Sequence, residues 1–122
     1  MLVIEAYIRF DKKSENEDAL NNDLSTEHRI VPAINFGNGF LYSAFTTFDK
    51  DIDIVERGYE YKVLIEVLVF DVNEPYGYQE LKPYLKYESR FLLQLASRVI
   101  GYGTLVDYFF LHDDRTDRNS RC

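Results

Sequence analysis

The chain has 122 residues, enough for one domain with a modest core. Its formal net charge of -7 argues against unspecific attachment to nucleic acid or to an anionic membrane, because both repel an acidic surface. Tyr and Phe are abundant, Trp is absent and Cys122 is the sole cysteine. That composition favours strands, rules out an internal disulfide and suits a reducing cytoplasm.

Leu2 to Phe10 reads as the first strand, with Ile4, Ala6, Ile8 and Phe10 on one face. No basic segment precedes it, so no signal peptide is expected, and no apolar run approaches the roughly 18 residues of a membrane span. Asp11 to Arg29 breaks the pattern with a polar, acid-rich stretch that is long for a connection inside a compact domain. Ser14 and Glu17 resemble a capping box for a short helix over residues 15–22. A solvated loop is the simpler reading. Ile30 to Phe36 is a strand whose Pro32 belongs near an edge or a bulge. Gly37-Asn38-Gly39 is a tight turn, and Phe40 to Phe48 resumes as a strand. Asp49 to Asp53 and Arg57-Gly58 are turns. Tyr61 to Asp71 carries the strongest apolar run, which suggests burial on both faces. A second long connection, Asn73 to Tyr87, is punctuated by Pro75, Gly77 and Pro83. Ser89 to Leu95 is a strand, Ala96-Ser97 a turn and Arg98 to Leu111 the last strand. Residues 1–112 thus form a single β domain, and residues 113–122 read as a disordered tail.

Within the last strand, Gly101 and Gly103 are two residues apart and therefore point to the same face. A face emptied twice lets a backbone or a large ring approach closely, or lets the strand bend. The closing hairpin, Arg90-Phe91-Leu92-Leu93-Gln94-Leu95 followed by Arg98-Val99-Ile100-Gly101-Tyr102-Gly103-Thr104-Leu105-Val106, resembles the end of the C-terminal β-barrel of elongation factor Tu. The run Ile54 to Val63 is similar to that barrel's Val-x-Pro-Gly-Asp turn and the strand after it, with Arg57 in place of the Pro and Tyr59 in place of the Asp. The resemblance spans residues 2–111 and is carried mainly by the last third. It implies an all-β, six-stranded antiparallel Greek-key barrel of the translation-factor C-terminal type, here with two long loop insertions. It implies no GTPase activity, since the chain has no phosphate-binding Gly-x-x-x-x-Gly-Lys-Ser/Thr loop.

The chemistry-bearing residues are sparse. His28 and His112 have no second ligand at zinc spacing. Cys122 sits in a charged tail, away from any base. Ser43 and Ser89 have no nucleophile elbow. Asp49-Lys50-Asp51-Ile52-Asp53 alternates oxygen donors, but Ile54 stands where a calcium loop needs Gly. Gly101-x-Gly103 lacks the third Gly and the helix of a dinucleotide site. No catalytic, cofactor or metal residues are therefore assigned, and no enzymatic activity is expected.

Two loop features remain as candidate partner-binding residues. Tyr76, Tyr78, Tyr84 and Tyr87 share one connection, and tyrosine supplies large amphipathic contact area at interfaces. They could equally fold back as a lid over one end of the barrel. Glu15, Glu17 and Asp18 lie in the acidic first connection and suit steering toward a basic protein. The expected function is a non-catalytic cytoplasmic binding protein of the immunity-protein or antitoxin kind, covering the active site of a basic, nuclease-type toxin. The alternative is a translation-associated adaptor barrel that contacts a factor or RNA.

Overall fold

The computed structural model describes residues 2–27, 31–67 and 81–110. Among the described residues eight strands follow in chain order: β1 (Leu2–Phe10), β2 (Leu24–Ser25), β3 (Ala33–Asn35), β4 (Ala44–Thr47), β5 (Ile54–Val55), β6 (Glu60–Val67), β7 (Arg90–Leu95) and β8 (Arg98–Phe110). A 3-10 turn, Lys82–Tyr84, precedes β7. Six strands form one curled antiparallel sheet in the order β3-β7-β8-β1-β6-β4, and β2 and β5 form a small second sheet. The fold is all-β, and the large sheet curls into a half-barrel. Among the described residues no helix is long and apolar enough to cross a membrane.

β1 lies at the centre of the sheet between β6 and β8. Its even-numbered residues Leu2, Ile4, Ala6, Ile8 and Phe10 are buried, as its alternation predicts. Ile65 and Val67 from β6, Phe91 and Leu93 from β7, and Ile100 and Leu105 from β8 complete the concave core. β8 is curved by two irregularities, one opposite Glu5/Ala6 and one opposite Leu93/Gln94. Each inserts an unpaired residue into β8 and increases its local twist.

The paired glycines sit where two neighbours press closest. A Cβ on Gly101 would fall on the carbonyl oxygen of Arg9 and 3.0 Å from Phe10 Cα. A Cβ on Gly103 would fall on the ring of Phe91. The expected backbone approach and the expected ring approach therefore both occur, one at each glycine.

Several expectations change. β6 alternates instead of being buried on both faces: Val63, Ile65 and Val67 are buried, while Leu64 is 44% exposed. Nothing covers the convex face of the sheet there among the described residues. The two edge strands are shorter than their apolar runs. β3 covers three residues, and the run from Phe40 forms regular strand only from Ala44. Residues 15–22 form no helix. Glu15, not Glu17, caps the turn, by accepting the Lys12 N–H at 3.0 Å. The turn at Gly37-Asn38-Gly39 is as expected, with φ of +88° at both glycines. Leu68 to Glu80, His28 and residues 111–122 lie outside the described residues, and with them the end of the apolar run, both histidines, Cys122 and the tail.

Candidate functional site

The first connection is a folded structure held to the sheet, not a solvated loop. Ala19 is fully buried beneath it. The Arg98 guanidinium donates to the carbonyl oxygens of Asp18 at 2.9 Å and Ala19 at 3.2 Å. The Asn16 side-chain amide donates to the Val99 carbonyl at 2.7 Å and to the Asp11 carboxylate at 3.0 Å. Arg57 closes the far side, donating from its backbone N–H and its Nε to Asp23 and from Nη1 to the Leu20 carbonyl. The β2–β5 pair and the Thr26 hydroxyl, which donates to Ile52 O at 3.0 Å, join this connection to residues 49–57.

One end of the half-barrel therefore collects most of the chain's net negative charge. Residues 11–27 and 49–57 carry ten carboxylates and four basic side chains. Three of those carboxylates are engaged. Arg9 pairs with Asp11 at 3.3 Å and with Glu15 at 2.9 Å, and Arg57 pairs with Asp23 at 3.0 Å. The Lys12 N–H and then the Arg9 guanidinium hold the Glu15 carboxyl below its ordinary pKa. The Arg57 backbone N–H and then its guanidinium do the same for Asp23. Glu17, Asp18, Asp49, Asp51 and Asp53 are exposed and form no ion pair among the described residues. Apolar side chains stand among them: Ile54 is 52% and Tyr59 is 59% exposed.

Beside these residues is a cleft of about 160 Å³. Phe10, Leu24, Phe48 and Val55 line its apolar interior, and Asp49 and Lys50 lie at its rim. Among the described residues no group of three or more His, Cys, Asp or Glu side chains is placed to hold a metal ion.

The expected site residues separate. Glu17 and Asp18 stand exposed on the acidic end, and Glu15 is there too but is tied to Arg9. Tyr84 and Tyr87 precede β7, whereas the acidic loop is bound at Arg98 and Val99, just past the other end of that six-residue strand. A strand of that length spans about 20 Å. The acidic loop and the described tyrosines, Tyr84 and Tyr87, thus do not form one patch. Tyr84 is half-buried, with its ring 6.3 Å from that of Phe36, and Tyr87 is 70% exposed. Leu81 and Leu85 plug that end of the core, and Tyr84 packs against it. Tyr76 and Tyr78 lie outside the described residues.

Ile54, Tyr59 and the cleft carry no local sequence signal, because they meet the acidic loop only through β2–β5 pairing and the Arg57–Asp23 contact. The one cue was the alternating carboxylates at Asp49, Asp51 and Asp53, which resemble a failed calcium loop. No protein-family model matches this chain, and no curated protein matches it.

Proposed function

We propose that this protein is a non-catalytic binding module that captures a basic partner protein through the acidic end of its sheet. The observation that carries the reading is the pre-formed state of that end. Arg9, Asn16, Arg57 and Arg98 hold the acidic connection in place, so its exposed carboxylates need little ordering on binding. An apolar centre of Ile54 and Tyr59 within a charged rim matches the anatomy of protein interfaces. The partner class that fits is a basic toxin of nuclease type, neutralised in the cytoplasm as by an immunity protein or antitoxin. The underlying fold is proposed to be the Greek-key barrel of the translation-factor C-terminal type. The close approaches at Gly101 and Gly103 support that reading, since they give the closing hairpin's Gly-x-Gly pattern a packing role.

The test is capture from native cytosol by the tagged parent and by a Glu17→Lys, Asp18→Lys, Asp51→Lys variant. Glu15 is left alone because its reversal would release Arg9. The parent should retain a basic protein at low salt that the variant does not retain, and about 1 M salt, where the Debye length is about 3 Å, should release it. Equal retention by both proteins overturns the reading. Retention of RNA or of a translation factor replaces it with the adaptor reading.

A further inference from the structure

The ladder between β3 and β7 ends one step early. Asn35 pairs with Leu92, and the same register carried two residues further would set Gly37 opposite Arg90. The chain turns away there instead. Gly37 takes a φ of +88° and donates its N–H to the Asn35 side-chain oxygen at 2.7 Å. It also has no side chain, and a Cβ built on it would meet nothing within 4 Å. Arg90 therefore has Thr104 of β8 beside it on one side and an open position on the other.

The result is a notch of about 340 Å³, lined by described residues alone. Asn35, Leu92 and Tyr102 stand side by side across β3, β7 and β8 and line it together with Phe36 and Arg90. Its walls are held in place. The Asn35 amide donates to the Gln94 side-chain oxygen at 2.6 Å, and the Arg9 guanidinium lies 6.0 Å from the centre of the Tyr102 ring. Leu92 is 40% exposed, so part of the apolar wall faces solvent. In a chain of net charge -7, no carboxylate lines this notch, and Arg90 is the one charged residue that does. Neither the Arg90 guanidinium nor the Tyr102 hydroxyl has a hydrogen-bond or ion-pair partner among the described residues.

We propose that this notch binds a small aromatic carboxylate. The Arg90 fork would take the carboxylate, and the ring would lie against Leu92 and Tyr102. An inorganic anion would leave the apolar walls unused, and a neutral apolar molecule would leave the guanidinium unused. A ligand that joins the two groups matches the usual make-up of a small-molecule site, apolar walls with a few placed polar groups. The notch shares no residue with the cleft at the acidic end. The inference goes beyond the acidic-end reading and does not rest on it.

The probe is phenylacetate, titrated at constant ionic strength into the full chain labelled with ¹⁵N. Phenylacetamide, which has the same shape without the charge, and acetate, which has the charge without the ring, are titrated alongside. Phenylacetate should shift the Gly37, Leu92 and Tyr102 amide signals along saturable curves. Phenylacetamide and acetate should each bind at least about tenfold more weakly. Arg90→Gln should reduce phenylacetate to the level of phenylacetamide and leave phenylacetamide unchanged, whereas Leu92→Ser should weaken both. No saturable shift at those three amides overturns the proposal. Equal affinity for the acid and the amide, read on the unaltered chain, overturns the pairing with Arg90 whether or not the variants fold. Acetate binding as tightly as phenylacetate also overturns it, since the site would then be a surface contact of one guanidinium.

Discussion

Gly101 and Gly103 face neighbours of different stiffness, and substitution should reveal it. At Gly103 the obstacle is the Phe91 ring, and at Gly101 it is the backbone of Arg9 and Phe10. Gly103→Val should lower stability by about 1–3 kcal/mol through overpacking. Gly103→Ala should be partly rescued by Phe91→Leu, which withdraws the ring. Gly101→Ala should not be rescued by that change, because no side chain can yield there. Thermal melts of the three single variants, Gly103→Ala, Gly101→Ala and Phe91→Leu, and of the two double variants decide the point, and equal rescue at both glycines would refute the distinction. Asp23 offers a pH test at the same scale. Arg57 holds its folded pKa below the unfolded value. Its contribution is therefore fully present above the unfolded pKa and is lost as pH falls through the folded one. The melting difference between the parent and Asp23→Asn should be largest near neutral pH and should vanish on acidification through that window.

The first connection behaves as an element although it holds little regular structure. Its ties run from Asn16 to Val99, from Asp18 to Arg98 and from Asp23 to Arg57. Arg98→Met removes donors to the carbonyls of Asp18 and Ala19 and should cost on the order of 1 kcal/mol. It should also speed amide exchange across residues 15–20 while leaving β1 protected. Uniform acceleration over the sheet would instead mean that loop and sheet open together. At the opposite end, Leu81 is fully buried just before the 3-10 turn. Leu81→Ala should cost about 2–5 kcal/mol by opening a cavity. A loss below about 1 kcal/mol would mean that this plug is dispensable.

For the whole molecule, the charge is uneven. Exposed carboxylates crowd one end without ion partners among the described residues, and their mutual repulsion opposes folding. Salt screens that repulsion, so the melting temperature should rise between about 0.01 M and about 0.15 M salt, where the Debye length falls from about 30 Å to about 8 Å. A falling melting temperature would show that the Arg9 and Arg57 ion pairs outweigh the repulsion. The sequence by itself determined β1, the β7–β8 hairpin and the two close approaches at Gly101 and Gly103, because side-chain alternation and a missing Cβ are local properties. Only the tertiary structure decided where the edges of the sheet stop, since Gly37 matters through the residue placed opposite it. It also decided that Leu64 faces outward and that the acidic connection is folded. Apart from Arg9, the groups that hold that connection are 26 to 83 residues away in the chain, so no local pattern could announce them. For the same reason the cleft, formed where β4, β5 and the acidic loop converge, exists only after the sheet has curled.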